Sequence, residues 1–163
     1  VPVSELISLW AKSGVRFVLI TGGEPLIQEG VYPLMEGLLQ RGARVLIETN
    51  GSLPLTLVSH QVIKVVDWKT PGSGSGSSFH LENLRHLTMK DQIKFVITSK
   101  ADYKWAARLV LDRALNLITS VLFSPCYGRI VPKDLAHWIL EDRLEVRLQL
   151  QLHKVLWGDK RGL

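Results

Sequence analysis

The chain has 163 residues, 46% of them hydrophobic and 21% charged, which is the make-up of one globular domain over 1–163 with room for a core. No apolar run reaches the ~18 residues of a membrane-spanning helix, so composition excludes a membrane protein and a disordered tail alike. Twenty basic against fifteen acidic residues leave +5, and since 1–81 hold six of each sign, 82–163 carry the whole excess. These cations are interleaved with acids (Lys90-Asp91, Asp112-Arg113, Asp159-Lys160-Arg161), which favours a small anionic ligand over nucleic acid.

The lone cysteine, Cys126, can form neither an internal disulfide nor the thiolate set of a zinc or iron–sulfur site, and a cytoplasmic protein is the default. Residue 1 is Val, with no basic and apolar leader after it, so the start reads as cut and not as targeted.

In chain order, 1–14 reads as a helix with Pro2 early, apolar Leu6, Ile7, Leu9 and Trp10, and a terminating Gly14. RFVLI (16–20) is a β-rich run ending in Thr21-Gly22-Gly23-Glu24-Pro25. Leu34, Leu38 and Leu39 keep helical spacing through Pro33 and Gly37 until Arg41-Gly42. ARVLIE, VIKVVDW, DQIKFVIT and NLITSVLF read as strands; PGSGSGSS follows the second, and a helix over 101–116 separates the last two. The segment 145–153 alternates strictly, with Val146, Leu148, Leu150 and Leu152 on one face of an expected edge strand.

Apolar strands alternating with helices predict an α/β fold with a mostly parallel sheet, open or curled into a barrel. Ligands of such sheets lie at the strands' C-terminal ends. Those ends carry Thr21-Gly22-Gly23-Glu24, Glu48-Thr49-Asn50, Asp67-Trp68-Lys69 and Ser124-Pro125-Cys126. Gly22-Gly23 lets a ligand approach bare backbone. An acid follows where a phosphate site would place Lys or Ser, so the expected ligand group is a cation such as an amine.

ITGGEPLIQ (20–28) resembles the GGEP segment of radical S-adenosylmethionine enzymes. With IETNGS (47–52), DWKTPGSGSG (67–76), QIKFVI (92–97), FSPCYG (123–128) and RLQLQLHKVLWGDKRG (147–162), the chain is similar throughout to the 7-carboxy-7-deazaguanine synthase family. The resemblance implies a partial β/α barrel and a lyase of queuosine (7-deazaguanine) biosynthesis. Such an enzyme contracts the ring of 6-carboxy-5,6,7,8-tetrahydropterin by radical chemistry, releasing ammonia. It implies S-adenosyl-L-methionine, a 4Fe-4S cluster and Mg as cofactors, an electron donor such as flavodoxin, and a cytoplasmic homodimer without nucleic-acid or membrane partner. The family's cluster cysteines and magnesium-binding Thr have no counterpart here, which implies an N-terminally truncated fragment, inactive alone, with no metal ligand of its own. Alternatives are a degenerate relative, another radical enzyme such as an activase, and a non-catalytic binding domain.

Carried over, Gly22, Gly23 and Glu24 hold the methionyl amine, and Thr21 touches the pterin. Glu48 accepts from the cofactor's ribose hydroxyls or stands as a solvated acid. Asp67, Trp68 and Lys69 and the loop after them line the cofactor site, which Ser124, Pro125, Cys126 and Tyr127 approach from the adenosyl side. Gln151, His153 and Lys154 suit a carboxylated pterin, as donors and an amide edge; Leu163 is given no role. No residue is assigned as catalytic acid or base. Trp10, Trp105, Trp138 and Trp157 are assigned to packing.

Overall fold

The computed structural model describes residues 1–74 and 79–158. The rest of the glycine/serine run (75–78) and the ending 159–163, with Asp159, Lys160, Arg161 and Leu163, lie outside the described residues.

Helix α1 (Val3–Ser13) runs into β1 (Phe17–Ile20), α2 (Val31–Leu39), β2 (Arg44–Thr49), β3 (Ile63–Asp67), β4 (Gln92–Ile97), α3 (Lys100–Asp112), α4 (Leu115–Ile118), β5 (Ser120–Pro125), α5 (Pro132–Glu141), β6 (Arg147–Leu148) and α6 (Leu152–Trp157). Short 3-10 turns cover Pro25–Ile27, Pro71–Ser73 and Leu81–His86. The six strands form one sheet in the order β1-β2-β3-β4-β5-β6, every pair parallel. Because each crossover of a parallel sheet is right-handed, strands laid down in sequence order send successive crossovers to the same face. That face holds the core: Val45, Ile47, Val66, Ile93, Phe95, Val121 and Phe123 meet Met35, Leu38, Tyr103, Ala106 and Leu135. The result is a curled, open α/β sheet; β1 and β6 do not pair, so no barrel closes.

Strand alternation sends the remaining side chains to the opposite, helix-free face. Phe17 and Leu19 stand on it about half exposed, at 53% and 55%. Toward the strands' C-terminal ends the same face carries Glu48, Asp67, Lys94 and Ser124.

Several expectations are corrected. The expected helix over 101–116 stops at Asp112, where Ala114 adopts φ 48° and breaks the hydrogen-bond run. The first residues of NLITSVLF then coil into α4, and β5 begins at Ser120. The alternating segment 145–153 is strand only at Arg147–Leu148, which pair with Leu122 and Phe123 of β5, and the chain leaves the sheet beyond them. Leu148, Leu150 and Leu152 are exposed and Val146 packs only partly, so the alternation does not build a buried face. Its end, with His153, is the helix α6 and not an edge strand. Helix α5 was not anticipated, although Pro132 at its first turn and the spacing of Leu135, Trp138 and Ile139 carry the signal.

Two buried polar hubs fix loops to this frame. Asn83 accepts from Leu55 N–H and donates to the carbonyls of Gly51 and Leu53. At the N-terminal ends of the strands, Asp91 accepts from the backbone N–H groups of Lys64 and Thr88 and pairs with the buried Lys64 ammonium at 3.4 Å. None of the described helices is long and apolar enough to cross a membrane.

Candidate functional site

The predicted residues gather at the C-terminal ends of the strands in three adjoining groups. The first is the β1 exit. Gly22 has φ 138°, and a Cβ at Gly22 or Gly23 would meet nothing within 4 Å, so the peptide groups of this turn face open space. Glu24 caps the 3-10 turn by accepting from Leu26 N–H at 3.1 Å. The same Oε1 takes the Thr49 hydroxyl at 2.8 Å, and Oε2 takes Asn50 N–H at 2.7 Å. Three donors therefore fill most of the carboxylate's acceptor positions and lock the β1 exit to the β2 exit. Beside them the Thr21 hydroxyl donates to Glu48 Oε2 at 3.3 Å, joining two residues assigned separately from the sequence.

The second group lines a cleft of about 400 Å³ at the ends of β3, β4 and β5, with Asp67, Lys69, Thr70, Gly72, Thr98 and Cys126 in its wall. Lys69 Nζ sits 2.7 Å from Asp67 Oδ2, so this ammonium already has a partner. Among the described residues, Asp67 Oδ1 is buried with no hydrogen-bond partner, as is Ser124 Oγ two strands away. Buried polar atoms of this kind are rare because each forfeits its hydration. They stand at the end of the sheet where ligands of parallel sheets bind. Trp68 is placed otherwise than the motif implied: its ring is buried in the helix-side core, stacked on Phe79 at 3.7 Å and edge-on to Trp105. Its indole therefore belongs to the core face, as strand alternation with Asp67 requires.

The third group is a largely apolar cleft of about 440 Å³ between the β5 exit and the chain's last described turn, lined by Pro125, Tyr127, Ile130, Val131, Leu150 and Gln151 among others. Lys154 Nζ lies 5.4 Å from the Tyr127 ring centre. His153 is exposed on α6, and so is Trp157, which was expected to pack.

Sequence reasoning missed Lys94, Thr98, Arg129 and Asp102, while Thr70 belongs to the loop after Lys69 expected at the cofactor site. Lys94 was within reach: it alternates with buried Ile93 and Phe95 and pairs in register with Asp67, which puts it on the helix-free face. Asp102 was not, because its contacts span thirty residues. Among the described residues no group of three or more His, Cys, Asp or Glu is placed to hold a metal ion.

No protein-family model matches the chain. It is 48% identical over 154 residues to the 7-carboxy-7-deazaguanine synthase of Koribacter versatilis, an alignment covering 86% of this chain and 68% of the relative. It is 40% identical over 151 residues to that of Chlorobaculum tepidum, covering 90% and 68%. Among solved structures, QueE from Escherichia coli superimposes with a TM-score of 0.71 at 20% identity, over 91% of this chain but 63% of that one. Streptococcus suis SuiB bound to S-adenosylmethionine gives 0.64 at 14%, over 93% and 42%. Likeness at such low identity concerns the fold alone, which the parallel order of all six strands already establishes. The relationship itself is carried by identity approaching half over most of the chain, and by this the chain belongs to the 7-carboxy-7-deazaguanine synthase family.

Proposed function

We propose that this chain forms the cofactor- and pterin-holding part of a 7-carboxy-7-deazaguanine synthase. The reaction is the conversion of 6-carboxy-5,6,7,8-tetrahydropterin to 7-carboxy-7-deazaguanine with loss of ammonia, a carbon–nitrogen lyase step of queuosine synthesis. The observation that carries it is the pair of buried, unpartnered polar atoms, Asp67 Oδ1 and Ser124 Oγ, at the ends of β3 and β5. Asp67 Oδ1 is an acceptor and Ser124 Oγ both donor and acceptor, each without a partner among the described residues, and ligand hydroxyl or amide groups would satisfy both.

The residues present fit S-adenosylmethionine. The open peptide groups of Gly22 and Gly23 and the remaining acceptor capacity of Glu24 suit its ammonium, while the cleft of Asp67, Lys69 and Cys126 with neighbouring Ser124, Pro125 and Tyr127 suits its nucleoside part. When bound, this cofactor supplies the radical chemistry of the superfamily. The chain's own residues bind and orient it. Glu48, held by Thr21, faces the same space from β2 and offers its acceptors to ribose or pterin hydroxyls. Gln151, His153 and Lys154 approach from the chain's end with an amide edge and donors for a carboxylated pterin.

The residues present do not fit a 4Fe-4S cluster, which needs three or four thiolates where this chain has one cysteine. Among the described residues no group of three or more His, Cys, Asp or Glu is placed to hold Mg either. No step is therefore assigned through either. A flavodoxin-type donor, a cytoplasmic homodimer and a single domain over 1–163 complete the reading on family likeness.

Calorimetric titration with S-adenosylmethionine and with 6-carboxy-5,6,7,8-tetrahydropterin separately tests it. Both are expected to bind, and His153→Ala should lose about tenfold in pterin affinity, as for one unmade hydrogen bond to a charged group, with cofactor affinity retained. A chain that takes up neither ligand contradicts the proposal.

A further inference from the structure

One wall of the polar cleft is the short turn after β3, held in part from the β4–α3 junction. Pro71–Ser73 makes a single 3-10 turn after β3, closed by Ser73 N–H and Ser73 Oγ donating to the Thr70 carbonyl. Thr70 is tied to the next strand through its hydroxyl, which donates to the Val96 carbonyl at 3.2 Å. The remaining anchor comes from α3. Asp102, only 2% exposed, sits three residues after the N-cap Ser99, whose Oγ accepts from Asp102 N–H. An acid at this position ordinarily turns back to the N-cap amide. Here it reaches past the cap: Oδ2 accepts from Thr98 N–H at 3.2 Å and from the Thr98 hydroxyl at 2.5 Å, while Oδ1 accepts from Gly72 N–H at 2.8 Å.

Gly72 is shaped for that contact. A Cβ there would stand 2.6 Å from Asp102 Oδ2 and 2.6 Å from Thr98 Oγ1, distances that real atoms do not adopt. The glycine is required by close approach of the carboxylate. Thr70, Gly72, Ser73 and Thr98 all line the cleft, whereas Asp102 stands behind them.

We propose that Asp102 is a positioning residue of the cofactor cleft, fixing the 70–73 turn against the β4–α3 junction so that the wall beside Lys69 is formed before a ligand arrives. The proposal rests on the reading of this cleft as the cofactor site, and goes beyond it by naming what shapes the site from outside. Burial alone would push the Asp102 carboxyl up, but the hydrogen bonds from Thr98 and Gly72 oppose it, and the carboxyl is held below its ordinary value, as suits a carboxylate that remains charged behind the wall. Charge is needed as well as shape. Donors converge on both oxygens, and the isosteric amide has one acceptor oxygen, so Asp102→Asn must turn an NH2 group toward either Gly72 N–H or Thr98 N–H.

The test compares the wild-type chain with Asp102→Asn, Gly72→Ala and the double variant. It reads S-adenosylmethionine and pterin affinities by calorimetry and the Gly72 and Ser73 amides by hydrogen exchange. The expected result is about a tenfold loss of cofactor affinity in each single variant, pterin affinity within twofold of wild type, faster exchange at Gly72 and Ser73, and no further loss in the double variant because both changes break one clamp. Gly72→Ala displaces the Asp102 and Thr98 side chains that close the clamp but removes none of the groups of the Ser99 cap, and keeps the question open to test if Asp102→Asn does not fold. Unchanged cofactor affinity in a folded variant overturns the proposal, as does an equal loss for both ligands, which a merely structural role would give. If the wild-type chain itself binds no cofactor, the reading of the cleft fails; positioning is then judged by exchange alone, and unaltered Gly72 and Ser73 amides overturn it too.

Discussion

Glu24 shows how one side chain can be both motif and scaffold. With three donors on its carboxylate it joins the β1 exit to Thr49 and Asn50. Glu24→Ala is thus expected to destabilise the fold by about 1–3 kcal/mol, the cost of leaving such donors unpaired, besides weakening cofactor binding. Urea denaturation beside calorimetry separates the two, and a variant of full stability would show that these bonds hold nothing. Tyr103 is a second case. Its hydroxyl lies 2.6 Å from Asp142 Oδ2 and 2.7 Å from the Trp138 carbonyl, so one proton serves two acceptors between α3 and α5. Burial first, then the Asp142 carboxylate, pushes this hydroxyl far above its ordinary value of 10.0. A raised folded value means that the contribution is complete below pH 10 and is lost as the pH climbs beyond it. Tyr103→Phe should cost about 0.5–1.5 kcal/mol at pH 8. In denaturation at rising pH the gap between wild type and variant should narrow only above pH 10, and a gap that already closes near pH 9 contradicts the assignment.

At the scale of elements, the strands' two ends use polar residues differently. The N-terminal ends of β3 and β4 are sealed by the Lys64–Asp91 pair, both side chains buried. Lys90 joins from outside, donating to the carbonyls of His60 and Val62. Removing one partner of a buried pair strands the other charge, so Asp91→Ala is expected to lose about 3–5 kcal/mol, more than the Lys64–Asp91 attraction itself contributes. Chemical denaturation measures it, and a loss under 1 kcal/mol would show the pair to be solvated. The C-terminal ends instead leave Asp67 Oδ1 and Ser124 Oγ without partners. On the proposed reading, this asymmetry of satisfied and unsatisfied polar groups among the described residues separates the end that stabilises from the end that binds.

For the whole molecule, six parallel strands in sequence order put the helices on one face and leave the other helix-free, with Phe17 and Leu19 on it and Glu48, Asp67, Lys94 and Ser124 toward the strands' C-terminal ends. On the proposed reading that face positions a ligand, and the one cysteine of this chain cannot furnish a cluster to it. Anaerobic incubation of this chain with iron and sulfide is expected to give no stable 4Fe-4S absorbance; stoichiometric incorporation would falsify the non-fit.

The sequence by itself determined the local pattern. Apolar runs placed β1 to β4 within a residue or two, Gly14 ended α1 with φ 69°, and GGEP, IETNG and DWK placed their polar residues at strand ends. These features are written in neighbouring residues, where steric preference and hydrophobic periodicity act directly. Only the tertiary structure decided the rest. Whether 145–153 continued as a strand depended on how far it stayed paired with β5, and Trp68 went to the core because its face was shared with Phe95 and Phe79. Asp102 became the brace of a loop thirty residues away through one hydrogen bond to Gly72. Such contacts are set by chain crossings that bring distant residues together, and a pattern of neighbours cannot record them.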